Sequence, residues 1–214
     1  MPLPDGGILP NRRIMGPKVG KRLVAFAAAL GLSCFAYYAF YHHKAAESLK
    51  ALRARAEQGD ADAQDNLGMH YDQGWELPKD EAEAVRWYRK AADQGNADAQ
   101  EHLGTHYEDG RGVPKDGSEA VRWYRKAAEQ GNADAQGDLA AMYADGEGVP
   151  RDLVEAYMWY TLAKDQGDDD GSIADLMAHF TDEMSEVQIA EAQLRAAEWK
   201  EQNEAGNVKK SGAR

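Results

Sequence analysis

Cysteine is almost absent from this sequence of 214 residues. The single thiol, Cys34, lies inside an apolar segment near the N-terminus. One chain therefore cannot form an internal disulfide, whatever the redox state of its compartment. The fold must be stable through packing alone.

Motifs of common enzymes are missing as well. The sequence has no Gly-x-Ser-x-Gly nucleophile turn, no glycine-rich phosphate loop and no His-Glu-x-x-His zinc motif. His102 and His106 are four residues apart, a spacing that can hold zinc on one helix face. However, His102 falls on the predicted open side of its helix and His106 at the buried edge, and no cysteine can complete a tetrahedral site. We expect no catalytic residue, no metal, no cofactor and no small-molecule substrate.

Basic residues are in the minority outside the N-terminal segment. Residues 1–41 carry five basic residues against one acidic residue, a net charge of +4. Because the whole chain has a net charge of -12, the remainder carries -16. This excess of negative charge repels phosphate groups, so we expect no nucleic-acid partner. It favours solubility and attraction to cationic partners.

The segment from Leu23 to Tyr41 is nineteen residues long and uncharged. As a helix that rises about 1.5 Å per residue, it would span the roughly 30 Å of a bilayer core. Basic residues precede it, and aromatic residues cluster near its C-terminal end, as at a membrane interface. We predict a transmembrane signal anchor over residues 23–41, a basic cytoplasmic N-terminus over residues 1–22, and the rest of the chain beyond the membrane, in the bacterial periplasm.

A cleavable signal peptide is the alternative for this segment. The apolar stretch is longer than the about 7–15 residues usual in such a signal, and no small-x-small cleavage site follows it. The anchor is therefore the preferred interpretation.

A period of 36 residues dominates the rest of the sequence. An Ala-Asp-Ala-Gln segment recurs at this spacing, together with a glycine, a leucine, a proline and a Trp-Tyr pair. The matching positions are Gly59, Gly95, Gly131 and Gly167; Leu67, Leu103 and Leu139; Pro78, Pro114 and Pro150; and Trp87–Tyr88, Trp123–Tyr124 and Trp159–Tyr160. Three repeats are predicted, at about residues 60–95, 96–131 and 132–167.

Each repeat is predicted to form two helices, A and B, joined by a turn. The predicted N-caps of the A helices are Asp60, Asn96 and Asn132, and the glycines that end them are Gly74, Gly110 and Gly146. The predicted N-caps of the B helices are Asp80, Asp116 and Asp152, each with a glutamate three residues later as in a capping box. The Trp-Tyr pairs fall on the apolar stripe of helix B, which indicates core packing rather than an aromatic ligand cage. Gly68 and Gly104 indicate a close approach of two helices.

The repeat pattern extends past both ends of the three copies. Residues 46–58 align with helix B, and residues 168–204 are predicted to form a C-terminal cap. The last helix of this cap starts near Ser185, and its predicted inner stripe is Ala190, Leu194 and Ala197. The helical repeat domain is thus predicted over residues 46–204, followed by a disordered tail over residues 205–214.

These motifs resemble the Sel-1-like repeat family, a relative of the tetratricopeptide repeat (TPR). The resemblance covers residues 46–200 and rests on Gly-x-Ala-x-Ala-Gln, Leu-Gly-x-x-Tyr, Gly-x-Gly-Val and Ala-x-x-Trp-Tyr. It implies an all-α, right-handed helical solenoid that serves as an adaptor in membrane-associated complexes and has no catalytic residues. The first copy departs from the pattern at Trp75–Glu76–Leu77, where the second turn glycine is missing. The cysteine-rich branch of the family is excluded because its cysteines are absent.

Acidic side chains dominate the predicted open side of the A helices. No lysine or arginine occurs in residues 60–74, 96–110 or 132–146. In TPR-like solenoids helix A lines the concave surface, so the resemblance implies a negative groove that binds a basic segment of a protein or peptide. The alternative is a solvated helix surface whose early acids offset the helix dipole. The candidate partner-binding residues are Asp62, Asp65, Met69, Asp72, Asp98, Glu101, His102, Thr105, Glu108, Asp109, Asp138 and Asp145.

Two functions fit these observations. The leading hypothesis is a membrane-anchored protein–protein interaction scaffold that assembles or regulates an envelope complex. The alternative is a released periplasmic or secreted repeat protein that binds and inhibits an enzyme such as a cell-wall hydrolase. In both, the chain itself is not an enzyme. A metal-dependent hydrolase is the third hypothesis.

Overall fold

The computed structural model describes residues 47–166, 177 and 181–211, with the side chains of the last helix described as far as residue 203. The chain divides into two units, Met1–Lys50 and Ala51–Arg214, and the repeats all lie in the second. The predicted cytoplasmic segment, residues 1–22, and the predicted membrane span, residues 23–41, lie outside the described residues. Among the residues that are described, no helix is long and apolar enough to cross a bilayer.

Helices account for all the regular secondary structure in the described residues. Residues 47–57 form α1, and α8 runs over Glu186–Ser211. Between them lie six helices of thirteen residues: α2 (Ala61–Gln73), α3 (Glu81–Asp93), α4 (Ala97–Asp109), α5 (Gly117–Glu129), α6 (Ala133–Asp145) and α7 (Leu153–Asp165). The predicted all-α series of helix pairs is confirmed: α2, α4 and α6 are the A helices, and α3, α5 and α7 are the B helices. The right-handed sense of the solenoid stays a prediction.

Each A helix begins at the predicted N-cap. Asp60 accepts a hydrogen bond at 3.0 Å from the backbone N–H three residues later, and Asn96 and Asn132 do the same in the next repeats. Each A helix ends at a glycine with left-handed backbone, such as Gly74 with a φ of 71°. The N–H of Gly74 donates to the carbonyl of His70. Residue types alone therefore located both ends of these helices.

The B helices form only half of the predicted capping box. Asp80 accepts a hydrogen bond from the backbone N–H of Glu83 at 3.0 Å. The glutamate does not return the bond, because the N–H of Asp80 donates at 2.9 Å to the carbonyl of Tyr71 in the preceding A helix. Glu83 pairs with Arg86 instead, at 3.4 Å. The carbonyl of the A helix thus takes the place of the glutamate and ties the two helices of a repeat together.

The apolar core runs between the two helices of each repeat and on into the next repeat. Leu67, Leu103 and Leu139 are fully buried, and all three Trp-Tyr pairs lie in the core, which confirms the packing interpretation. A methyl group at Gly104 would come within 2.6 Å of the Tyr124 ring, so glycine lets α4 and α5 approach closely. Burial of these side chains supplies the stability that disulfides cannot supply here.

Glutamines connect each repeat to the next. Gln100 Nε2 donates to the carbonyl of Ala92 at 3.0 Å, and Gln100 Oε1 accepts from Gln130 at 2.7 Å. Equivalent bonds occur at Gln64 and Gln136 in the other two copies. A buried amide is costly unless its hydrogen bonds are made. The recurring glutamine of the Ala-Asp-Ala-Gln segment is therefore explained by packing between repeats.

Helix α8 packs against α7 through a different face from the predicted one. Trp199 lies with its ring centroid 6.0 Å from that of Trp159, and Ala192 and Ala196 are buried. The three residues predicted to point inward are exposed instead: Ala190, Leu194 and Ala197. The prediction was wrong because α8 carries two small apolar stripes of similar spacing, and the large ring of Trp199 selects the other one.

The same helix continues into the segment predicted as a disordered tail. The tail was placed at residues 205–214, whereas α8 extends to Ser211. Ala205, Lys209 and Lys210 favour a helix in this segment, whereas Gly206, Asn207 and Val208 do not, so residue type alone left its structure open. The first part of the predicted cap, residues 167–176 and 178–180, lies outside the described residues, as do residues 212–214.

Candidate interaction surface

The twelve candidate residues fall into three groups by exposure. Four are exposed: Asp62, Asp98, Asp109 and Asp145. Six are half-buried: Met69, Glu101, His102, Thr105, Glu108 and Asp138. Two are buried: Asp65 and Asp72.

Asp65 and Asp72 were predicted on the open side of α2, and their burial corrects that prediction. Asp65 is 5% exposed, and its Oδ1 lies 2.9 Å from Nδ1 of His102 in the next A helix. Asp72 is 6% exposed and lies beside His106 and Arg111. A projection of one isolated helix leaves out the next repeat, whose A helix covers this side of α2. These two carboxylates therefore belong to the junction between repeats.

Asp62 and Asp98 are exposed, but they also hold the next repeat. Asn96 donates through Nδ2 to Asp62 Oδ1 at 2.9 Å, and Asn132 makes the same bond to Asp98 at 2.9 Å. Each asparagine is at the same time the N-cap of its own helix. The first-turn aspartates are thus explained by the contact between successive A helices.

Three further candidates form a hydrogen-bonded chain beneath the surface. The Tyr124 hydroxyl donates to Glu108 Oε2 at 2.6 Å and lies 3.1 Å from Thr105 Oγ1. Thr105 donates to Glu101 Oε1 at 2.9 Å. Burial raises the pKa of the Glu101 carboxyl above its ordinary value, and burial likewise raises the pKa of Tyr124. These groups are positioned by one another rather than held open for solvent.

Asp109 and Asp145 are the last residues of α4 and α6, and both are exposed. Asp109 pairs at 3.1 Å with Arg111 in the following turn. A carboxylate at the C-terminal end of a helix faces the negative end of the helix dipole, which costs about 0.3–1 kcal/mol. Helix stability therefore does not explain either side chain.

The basic side chains lie on the B helices, as the sequence indicates. Lys90 Nζ lies 3.6 Å from the centroid of the Trp87 ring, and Lys126 repeats this contact over Trp123 at 3.7 Å. Arg89 donates to the hydroxyl of Tyr107 in the next A helix. The A helices thus carry only negative formal charge, whereas lysines and arginines balance the acids of the B helices.

A pocket of about 350 Å³ lies between α2 and α4, the A helices of the first two repeats. Five candidate residues line it: Met69, Asp72, Glu101, His102 and Thr105. Five further residues line it that the sequence analysis did not assign to the groove: Gln73, Trp75, Tyr88, His106 and Arg111. Trp75 belongs to the segment at which the first copy departs from the repeat pattern, and it is 40% exposed. Gln73 falls on the predicted open side of α2. Tyr88, His106 and Arg111 could not be found from that helix, because they come from two other helices and a turn.

The two histidines of α4 have different roles, and neither is placed as a metal ligand. His106 Nδ1 lies 2.8 Å from the carbonyl oxygen of Arg111, and His70 makes the equivalent contact to Trp75 at 3.0 Å. Because a carbonyl only accepts, Nδ1 of His106 carries the proton and Nε2 is an acceptor in the neutral ring. In the part of the chain that the structure describes, no group of three or more histidine, cysteine or carboxylate side chains could hold a metal ion.

The pKa values of the two rings shift in opposite directions. Burial lowers the pKa of His106 below its ordinary value, which favours the neutral ring. Burial acts the same way on His102, but the hydrogen bond to Asp65 and the charges of Asp65 and Glu101 outweigh it and raise the pKa of His102. His102 thus offsets the buried charge of Asp65, while His106 supports a turn.

Stacked pairs of short helices, each coupled to the next, define the class of helical-repeat proteins. The Sel1 repeat model matches residues 61–96, 97–132 and 133–168, which together make up half of the chain. The chain therefore belongs to the Sel1 repeat family, and the resemblance drawn from its motifs is confirmed. The matched copies begin one residue later than the repeats taken from the sequence period.

Two solved structures are similar to this chain. The Sel1 repeat protein from Oxalobacter formigenes is 38% identical with a TM-score of 0.56, over 62% of this chain and 98% of that chain. The protective antigen c5321 of uropathogenic Escherichia coli, which displays an SLR fold, is 28% identical with a TM-score of 0.53, over 86% of this chain. The match covers 44% of that second protein. Among proteins with curated descriptions, none matches significantly.

Membership of this family gives a general function. Sel1 repeat proteins are generally non-enzymatic scaffolds for interactions between proteins. Repeat solenoids bind partners on extended surfaces made by neighbouring repeats. In this chain, the A helices and the pocket between α2 and α4 are the candidate surface.

Proposed function

We propose that this chain is a membrane-anchored scaffold whose A-helix face recruits a protein with a basic segment, and so assembles or regulates an envelope complex. The observation that carries the proposal is the pair of exposed carboxylates of Asp109 and Asp145 at the C-terminal ends of α4 and α6. They recur at one register position, and neither is explained by helix stability.

The last turns of the two helix types support this interpretation. Each B helix has a lysine in its last turn, where a positive charge is favourable: Lys90, Lys126 and Lys164. The A helices have no lysine or arginine at all. No lysine or arginine lies within an A helix, and the nearby cations come from the following turns: Arg111 pairs with Asp109 at 3.1 Å, and Arg151 donates to the carbonyl of Ala144 at 2.8 Å. A basic segment of a partner would add positive charge to this acidic face and gain from charge complementarity.

Charge reversal on the A helices tests the proposal. We expect the double variant Asp109→Lys with Asp145→Lys to lose the partner in native membranes, as measured by cross-linking and mass spectrometry. The matched control is Asp93→Lys with Glu129→Lys, since these exposed acids are the last residues of B helices α3 and α5. This control should keep the partner, and the cross-linked partner peptides should be rich in lysine and arginine. Equal loss of the partner in both double variants, or loss in neither, would reject the A-helix face as the binding surface.

Anchoring is proposed from the uncharged segment over residues 23–41 and the basic residues before it. The expected result is a chain that stays with the membrane fraction after an alkaline wash and keeps its N-terminal residues. A mature chain that begins near residue 42 in N-terminal sequencing would exclude the anchor. It would favour the released protein that inhibits an enzyme, such as a cell-wall hydrolase.

A further inference from the structure

A carboxylate oxygen without a hydrogen-bond donor lies at the pocket between α2 and α4. The side chain of Asp72 is 7% exposed, and its Oδ2 accepts from Gln73 Nε2 at 2.9 Å. No donor in the described part of the chain makes a hydrogen bond to Oδ1. Two nitrogen atoms stand close to it but beyond good hydrogen-bond geometry, His106 Nε2 at 3.4 Å and Arg111 Nη1 at 3.7 Å. A buried carboxylate oxygen left in this way costs free energy that a donor would recover.

The neighbouring imidazole presents a second acceptor at the same point. The carbonyl of Arg111 fixes the proton of neutral His106 on Nδ1, so the lone pair of Nε2 is directed elsewhere. Nε2 and Asp72 Oδ1 are then two acceptors 3.4 Å apart, and neither can donate to the other. One positively charged donor that reaches both atoms would relieve this repulsion.

We propose that this pocket binds the ammonium group of a lysine side chain. The lysine belongs to the basic segment of the partner, so this inference rests on the proposed function. A lysine fits better than an arginine, because a bidentate guanidinium would have to share Asp72 Oδ2 with Gln73, whereas an ammonium group needs only Oδ1. The lysine stem can lie along the apolar wall made by Met69, Trp75 and Tyr88.

Arg111 is the resident cation with which this lysine competes. Its side chain is 34% exposed, and Nε forms an ion pair with Asp109 Oδ2 at 3.1 Å but makes no hydrogen bond in the described part of the chain. Nη1 stands 3.7 Å from Asp72 Oδ1, beyond hydrogen-bond distance. Removing its charge should favour a second cation in the pocket. The opposite effect would be expected of a pocket that binds an anion.

The next pair of repeats does not reproduce the site. Glu108 takes the place of Asp72, but its Oε2 already accepts from the Tyr124 hydroxyl at 2.6 Å. Met142 stands where the first junction has His106, so the second acceptor is lost. The second junction thus lacks this pair of acceptors, and Glu108 provides a matched control.

Peptide binding to the full chain in a non-ionic detergent tests the pocket. The probe is a fluorescein-labelled peptide, Gly-Gly-Lys-Gly-Gly, whose dissociation constant is measured by anisotropy against the same peptide with arginine or norleucine. We expect lysine to bind at least about threefold more tightly than arginine, and Asp72→Asn to weaken lysine binding at least about fivefold. Glu108→Gln should leave the affinity unchanged, and Arg111→Gln should raise it.

Four results would overturn this assignment. They are equal affinity for lysine and arginine, equal effects of the Asp72 and Glu108 variants, weaker binding by Arg111→Gln, and binding that Trp75→Ala leaves unchanged. Trp75 is a surface side chain, so its variant tests the pocket even where Asp72→Asn fails to fold. Asp145→Lys separates the two proposals, because Asp145 lies in α6 while Asp109 pairs with Arg111 at the pocket. Failure of the peptide test with loss of the partner in Asp145→Lys would reject this inference alone. Lysine-selective peptide binding with the partner retained in Asp145→Lys would reject the proposed function instead.

Discussion

Glycine at position 148 is required by its backbone and by its surroundings. Its φ of 72° lies in the left-handed region, and a Cβ there would lie 2.2 Å from the carbonyl of Gly117 in the preceding repeat. Gly137, by contrast, lies inside α6, and a Cβ there would meet nothing within 4 Å. The same residue type therefore has opposite consequences at two positions eleven residues apart.

We expect Gly148→Ala to lower the free energy of unfolding by about 2 kcal/mol or more, because the turn and α5 must separate. Gly137→Ala should raise it by about 0.5–1 kcal/mol, because alanine is the better helix former. Urea unfolding of the full chain in detergent, followed by circular dichroism, measures both. Changes of the same sign at the two positions would contradict the packing described for the turn.

Local chemistry explains which residue roles could be predicted from the sequence. N-caps and the glycines that end the A helices depend on their own backbone, so residue type and spacing are sufficient. The burial of Asp65 and Asp72 depends on α4, which an isolated helix projection leaves out. The free oxygen of Asp72 depends in addition on the proton position in His106, which no spacing encodes.

At the scale of elements, α8 shows why a helix can be predicted and its orientation missed. Its predicted start near Ser185 is a local signal: the backbone N–H groups of Ser185 and Gln188 each donate to the side chain of the other. Its buried face depends on α7, where Glu155 pairs with Arg195 at 2.7 Å and Trp159 contacts Trp199. A pattern of alanines with one leucine was too weak to choose between two faces.

Two substitutions on α8 test its orientation. Leu194 is 60% exposed, so Leu194→Gln should change the free energy of unfolding by less than about 0.5 kcal/mol. Ala196 is 1% exposed against the core, so Ala196→Leu should cost about 1–3 kcal/mol through overpacking. Thermal melts of the two variants compare them directly. A large cost at Leu194 with none at Ala196 would restore the orientation predicted from the sequence.

At the scale of the whole molecule, each repeat is stabilised by its contacts with the neighbouring repeats. Each repeat contacts its neighbours through the glutamines, the first-turn aspartates and the Trp-Tyr pairs. A 36-residue period therefore predicted the architecture, because the same contacts recur. It could not predict the pocket, because that site comes from residues in which the first junction differs from the second.

Removal of α8 tests whether the last repeat depends on its neighbour for stability. A chain that ends at Thr181 loses the buried Met184, Ala192 and Ala196 and the cover of Trp159. We expect its free energy of unfolding to fall by about 3 kcal/mol or more, with α7 opening first, as measured by urea unfolding and hydrogen exchange. A chain that ends at Asn203 is the control, since the contacts described between α8 and α7 end at Lys200, which pairs with Asp165. Equal stability of the two truncated chains would mean that α8 does not cap the solenoid, and its exposed stripe with Leu194 would then have to be reassigned.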